Sequence, residues 1–281
     1  MGLEKFMIWQ HVTKQNPCPI CQKTDWCQFG DRAVKCMRVE SKKACPSGGW
    51  YHFYDDERIR IEFTPRSRPA APKIDAGNML GRIRIKSRAE DLERSARLLG
   101  VSVAALEALG TAWHSEKNAL AFPMFDAQRN EIGIRLRNER GFKWAISGSR
   151  NGLFIPKEIN PQLVTFLPEG PTNTAALLSI GIQAIGRPNV SAGNDLMSDC
   201  LKHFKIRRVV VVADNDELKQ LGNREGRPGI EGAIKLQKEL KVPSVIWMPP
   251  SPLKDARDFV NRGGTAAQIQ SDISGKVWMV K

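Results

Sequence analysis

Glu169, in Thr165-Phe-Leu-Pro-Glu-Gly170, and Asp214 and Asp216, closing Val209-Val-Val-Val-Ala-Asp-Asn-Asp216, are acids set where an apolar strand pattern stops. A helix-like stretch follows each of them. In an open α/β sheet such strand ends face the crevice where ligands bind. Carboxylates gathered there repel one another strongly at low dielectric unless a cation neutralises them. The residue types therefore point to Mg2+ or Mn2+, hard ions that take carboxylate oxygens and keep positions for phosphate and water.

A second constellation is built on sulfur. Cys18-Pro-Ile-Cys21 has the spacing of a zinc knuckle. If a hairpin turns between Asp31 and Arg32, near Gly30, then Cys27 and Cys36 become cross-strand neighbours with Cβ atoms ~5 Å apart, and both thiolates reach one Zn2+. Cys18, Cys21, Cys27 and Cys36 are the expected set, with Cys45 the alternative fourth ligand and His52 a weaker one. Five of the six cysteines lie between Cys18 and Cys45, which in a reducing compartment argues for metal rather than disulfides. So small a segment, poor in aliphatic residues, needs a metal to fold. Cys200 stands alone in a helical pattern and reads as packing.

The elements that position these groups follow from local pattern. Residues 1–54 form the Cys- and Trp-rich segment, and 55–78, with Pro65, Pro69 and Pro72 among basic residues, read as a linker. Arg82, Arg84 and Lys86, with Lys73, read as a solvated basic stretch ahead of the first helix. Ser87 is the expected cap of that helix, which runs to Leu99 and closes at Gly100; Ser102 caps a second one, closed by Gly110. Ala119–Phe125 and Glu131–Arg137 read as strands joined by the turn Asp126–Asn130. Alternation in the second puts Ile132, Ile134 and Leu136 on one face and Arg135 and Arg137 in a basic row on the other, an exposed one.

From Leu163 the pattern alternates: strand 163–167, helix 172–180, short strand 183–185, helix 195–204, strand 208–213, helix 229–240, strand 244–248. That order predicts a mainly parallel sheet flanked by helices. Arg187–Gly193 reads as a loop, and as a plain turn in preference to a backbone anion nest.

Lys and Arg number 43 against 30 Asp and Glu among 281 residues, a net charge of +13. That surplus points to a polyanion, most often nucleic acid. No run approaches the ~18 apolar residues of a membrane span. The sequence as given opens with neither a signal-peptide core nor a myristoylation pattern, so a cytoplasmic location is expected.

The ordered set Glu169-Gly170, then Asp214-x-Asp216 after an apolar strand, resembles the TOPRIM domain of bacterial-type primases, topoisomerases and some nucleases. Upstream, Phe122-Pro-Met-Phe-Asp126, Gln128-Arg-Asn130, Gly133-Ile-Arg-Leu-Arg137 and Lys143-Trp144 are similar to the basic subdomain of bacterial and phage primases. Downstream, Lys254-Asp255-Ala-Arg-Asp258 resembles a later acidic motif of phage-type primase-helicases. The resemblance implies an α/β fold: a TOPRIM-type mainly parallel sheet over 161–281, a mixed α+β basic subdomain over 79–160, and an N-terminal β zinc ribbon. It departs at Asn173, where such primases usually carry an acid.

The activity so implied is primer synthesis, with single-stranded DNA as template and ribonucleoside triphosphates as substrates. By resemblance Asp214, Asp216 and Asp255 hold Mg2+ or Mn2+, and Glu169 is a ligand or a partner of metal-bound water. Asp258 is as readily a surface ion pair with Arg257. Arg135, Arg137 and Lys143 hold triphosphate or template, and Trp144 is either a base-stacking residue or core. Trp26, Lys35 and Arg38 of the ribbon would read template. No Gly-x4-Gly-Lys-Ser/Thr loop is present, so a replicative helicase partner would be a separate protein, encoded by a chromosome, phage or mobile element. A TOPRIM nuclease and a weakly catalytic DNA-binding replication adaptor are the alternatives.

Overall fold

A computed structural model describes residues 9–30, 33–45, 48–54, 74–189, 193–221 and 224–279. The Asp31–Arg32 turn, Lys73 with most of the expected linker (55–73), and 190–192 of the expected loop lie outside the described residues. The chain divides into two compact units, 1–70 and 71–281.

In the first unit β1 (Gln10–His11), β2 (Gln28–Phe29), β3 (Ala33–Cys36) and β4 (Trp50–Phe53) pair antiparallel in sequence order. Its core is minimal: Val12, Ile20 and Val34 pack with Cys18, Cys27 and Cys36.

The second unit opens with α1 (Ala76–Lys86), whose first turn takes up residues read above as linker. Asp75 caps it, its Oδ1 accepting from the Asn78 N–H at 3.0 Å. Arg82, Arg84 and Lys86 therefore lie on this helix rather than ahead of it, Arg84 paired with Glu131 and Lys86 with Glu116. Ser87 is not the cap of α2 (Ala89–Leu99); Arg88 holds that position. The Ser87 hydroxyl instead accepts from the Trp113 N–H at 2.9 Å, tying the helix junction to a strand that local pattern did not reveal. Ser102 does cap α3 (Val103–Ala108).

Strands β5 (Ala112–His114), β6 (Ala119–Phe125), β7 (Glu131–Asn138) and β8 (Lys143–Ala145) form an antiparallel sheet in that order. All seven residues of β6 are buried, because helices cover both faces. Ala119 and Ala121 pack with Leu80 and Ile83 of α1, whereas Leu120, Phe122 and Met124 pack with Leu99 and Leu106 of α2 and α3. Arg135 and Arg137 share the second face and are half-buried, not exposed as the alternation alone suggested.

The remainder comprises β9 (Thr165–Leu167), α4 (Gly170–Ser179), α5 (Asn194–His203), β10 (Val209–Val212), β11 (Lys219–Leu221), β12 (Arg224–Gly226), α6 (Pro228–Glu239), β13 (Ser244–Trp247), α7 (Ala256–Asn261) and α8 (Ala266–Ile273). A parallel sheet runs β13-β10-β9, and the expected strand at 183–185 shrinks to a parallel bridge between Phe166 and Ala184. Val209 and Val211 enter one core with Met197 and Leu236; Val210 and Val212 enter another with Trp247 and Phe259. Among the described residues no helix is long and apolar enough to cross a membrane.

Candidate functional site

Each acid of interest is held by the element it ends or begins. Glu169 follows β9 and takes the N-cap position of α4 without a side-chain capping bond; Gly170, at φ +75°, makes the turn that a side chain would strain. Asp214 and Asp216 lie just beyond the C-terminal end of β10. The helix α6 is pressed onto them: a Cβ at Gly229 would stand 2.3 Å from the Asp214 carbonyl oxygen, and the Gly229 N–H donates to Asp216 Oδ2 at 3.1 Å. Asp255 caps α7, its Oδ1 accepting from the Asp258 N–H at 2.8 Å. Asp258 in turn accepts from the Lys254 N–H (3.0 Å) and pairs with Arg262, not with Arg257.

Two asparagines join these pieces. Asn173, 5% exposed on α4, donates to Asp214 Oδ1 (3.5 Å) and accepts from the Arg257 N–H (3.2 Å), linking α4, the end of β10 and α7. Asn215 receives the adjoining loop: its N–H donates to the Lys254 carbonyl (2.7 Å) and its Nδ2 to the Leu253 carbonyl (3.1 Å). Asp255 is thereby fixed against the strand end from which Asp214 projects.

The other three carboxylates act on Asp214. Burial pushes the Asp214 carboxyl up to about 7, and Glu169, Asp255 and Asp216 add to the shift while Arg187 opposes it. Among the described residues no three carboxylates close to within 4.8 Å, the spacing that the cysteines below achieve. The donor set nonetheless fits a hard divalent ion: oxygen only, mutually repelling, and reached by cations from the sheet opposite.

Those cations are Arg137 and Lys143, paired across β7 and β8 and so on one face. Burial lowers the Arg137 pKa, with Arg257 adding to it and Asp255 working against it. Lys143 is exposed, yet surrounding protein lowers its pKa first, then Arg137 and Arg257, with Glu169 and Asp255 opposing. The basic face thus lies close enough to Glu169 and Asp255 to act on them electrostatically. Arg135 lies further along the row, donating to Asn151 at 3.2 Å. Trp144 leaves the group: opposite Leu136 in the register, it faces the α1 core and packs there rather than beside the cations.

In the first unit the β2–β3 register, Gln28 with Lys35 and Phe29 with Val34, continues to Cys27 opposite Cys36. The sulfurs of Cys18, Cys21, Cys27 and Cys36 all lie within 4.8 Å of one another. Cys21 and Cys27 are 3.6 Å apart, Cys27 and Cys36 4.0 Å. Tetrahedral zinc with Zn–S near 2.3 Å spaces its sulfurs about 3.8 Å apart, so the cluster fits that ion. The Met37 N–H donates to Cys27 Sγ (3.4 Å) and the Val39 N–H to Cys36 Sγ (3.3 Å), contacts that favour thiolate. Contact with Cys18 holds the Cys36 thiol down to about 5, and the same contact raises Cys18. Cys45 lies apart, its Sγ 3.1 Å from Tyr51 Oη, and His52 Nε2 donates to the Val39 carbonyl (3.1 Å). Trp26 is 75% exposed at φ +67°, while Arg38 is turned onto Asp25 at 2.8 Å.

Solved structures similar to this chain include three primase structures. The DnaG primase catalytic domain bound to ssDNA shares 12% identity over 72% of this chain and 78% of its own, with a TM-score of 0.53. The E. coli primase catalytic core gives 12%, 72%, 79% and 0.51. The zinc-binding and RNA polymerase domains of the Aquifex aeolicus primase give 16%, 68%, 59% and 0.52. The fold is that of primase catalytic cores. No protein-family model and no curated protein matches the sequence.

Within that fold three residues were not legible as parts of the site. Asn215 is an ordinary asparagine until the loop it anchors is seen. Asn173 stood out only as a missing acid, not as a bridge. Arg187 stood in what looked like a turn, yet it is 1% exposed beneath the acids.

Proposed function

We propose that this chain is a DNA primase: an enzyme of the cytoplasm that joins ribonucleotides into short primers on single-stranded DNA. The observation that carries this reading is the gathering of Glu169 and Asp216, at the β9 and β10 ends, and Asp255, at the start of α7, about Asp214, with Arg137 close enough to act on Asp255 and Lys143 on Glu169 and Asp255. Likeness of the fold to primase catalytic cores supports it. So does the four-cysteine cluster, suited to a template-reading zinc module in which Trp26 offers a stacking face.

Nucleotidyl transfer needs a 3′-hydroxyl placed in line with an α-phosphate and charge stabilisation at the leaving pyrophosphate. In this reading Asp214, Asp216 and Asp255 hold Mg2+ or Mn2+, with Glu169 a further ligand or a partner of its water. An ion held by these residues would supply Lewis-acid polarisation of the phosphoryl oxygens and a lowered pKa for the attacking hydroxyl. Arg137 and Lys143, with Arg135 beyond, hold triphosphate or template phosphates against the acids. Asn215 and the α7 cap keep Asp255 in register with Asp214. Cys18, Cys21, Cys27 and Cys36 bind Zn2+.

Purified protein with single-stranded DNA, labelled NTPs and Mg2+ or Mn2+ tests the proposal. Short RNA is expected, and Asp214→Asn should remove it by 10²-fold or more, about 2.7 kcal/mol or more of barrier. Cleaved DNA in place of RNA supports a nuclease. Tight DNA binding without product supports the replication adaptor, the reading that the Asn173 bond to Asp214 favours, since it occupies an acid oxygen with a neutral amide.

A further inference from the structure

Arg187 is buried where a guanidinium is costly. Its backbone is laced around Glu169: the Arg187 N–H donates to the Pro168 carbonyl (2.9 Å) and its own carbonyl accepts from the Gly170 N–H (2.8 Å). Its Nη2 lies 3.4 Å from the Val212 carbonyl, two residues before Asp214. The side chain thus runs beneath the two strand ends that bear Glu169 and Asp214, at 1% exposure. Nε and Nη1 have no hydrogen-bond partner. A charged side chain so placed, with two donors unused, is strongly unfavourable unless nearby charge compensates. Glu169 and Asp214 are the acids that act on it. The chain passes here with no slack, since a Cβ at the preceding Gly186 would stand 2.2 Å from Thr174 Oγ1.

We propose that Arg187 is a fixed internal cation of the carboxylate site, a positioning residue that acts through Glu169 and Asp214 and holds the affinity of the site for divalent ions low. The inference rests on the carboxylates being a divalent-cation site. Its physical content is Coulombic: a permanent positive charge under the acids keeps them together when no ion is bound and repels the ion that arrives. The divalent ion is then retained chiefly when the phosphates of a nucleotide add negative charge, so free ion is bound weakly and metal–nucleotide complex well.

Titration of the zinc-loaded full chain with Mn2+, followed by electron paramagnetic resonance without nucleotide or DNA, tests this. Arg187→Met, similar in length and neutral, is expected to bind free Mn2+ at least tenfold more tightly than wild type. Arg187→Lys, which keeps the charge, should stay within a few-fold of wild type, a distinction that mere packing does not produce. Equal affinities for wild type and Arg187→Met overturn the inference, as does a loss of affinity in Arg187→Met. If that variant folds only when Mn2+ is added, judged by its melting curve, the ion has replaced the missing charge and the inference stands; failure to fold even with Mn2+ overturns it. Asp214→Asn is the control: Mn2+ binding that ignores it sinks the carboxylate-site reading itself, whereas binding lost there but unchanged in Arg187→Met sinks only the role of Arg187.

Discussion

Asp214 concentrates the electrostatics of this molecule. Its carboxyl, at about 7 in the fold against 3.8 ordinarily, is raised. A raised pKa means that the folded state holds the proton more tightly, so stability is full below the ordinary value and declines as pH rises through 7. Without added Mg2+ or Mn2+, wild type should therefore lose stability relative to Asp214→Asn between pH 4 and pH 8. The difference is on the order of a few kcal/mol and is readable from paired melting curves. Mg2+ should narrow it in wild type alone. The same logic governs Asn173, whose amide donates to that carboxylate. Asn173→Asp replaces a donor by a like charge and is expected to cost about 1–3 kcal/mol at neutral pH in denaturant titrations without divalent ion. Added Mn2+ should recover much of it.

At the scale of elements, the site depends on how closely α6 meets the end of β10. Gly229→Ala puts a methyl against the Asp214 backbone, which has nowhere to retreat because β10 is buried on both faces. It should cost about 1–3 kcal/mol of stability. Primer synthesis should fall more steeply than binding of single-stranded DNA, because the acids move while the basic face stays.

The strands that carry the acids were legible because a run such as Val209–Val212 ending in Asp-Asn-Asp leaves little choice of period or boundary. The helices were less so. α1 begins among residues whose prolines and charges read as linker, and Ser87, a good capping residue by type, serves Trp113 instead. The exposure of the Arg135–Arg137 row was misjudged for a related reason: alternation tells which residues share a face, not what covers that face. Trp144 followed from the register, which only the paired strand supplies. The cysteine set was legible because hairpin pairing and ligand spacing are both local, and the bridging roles of Asn173 and Asn215 were not, because their partners lie 84 and 38 residues away.

For the whole molecule, two compact units imply two separable responses. Stripping the metal with a thiol-competing chelator, or substituting Cys27→Ser, should unfold the first unit, whose few aliphatic residues cannot hold it. The melting transition of residues 71–281 should persist, visible as the surviving peak in calorimetry. The net charge of +13 adds a salt signature: affinity for single-stranded DNA should fall linearly with log salt, and Arg137→Ala should reduce that slope by about 0.7. The valine strand that ends in Asp214 belongs to two cores at once, so no partial opening frees it without disrupting both. Its amides should exchange with deuterated water only through complete unfolding of the second unit. The acid at its tip then keeps its place until that unit as a whole gives way, and heat should abolish divalent-ion binding and the fold in a single step.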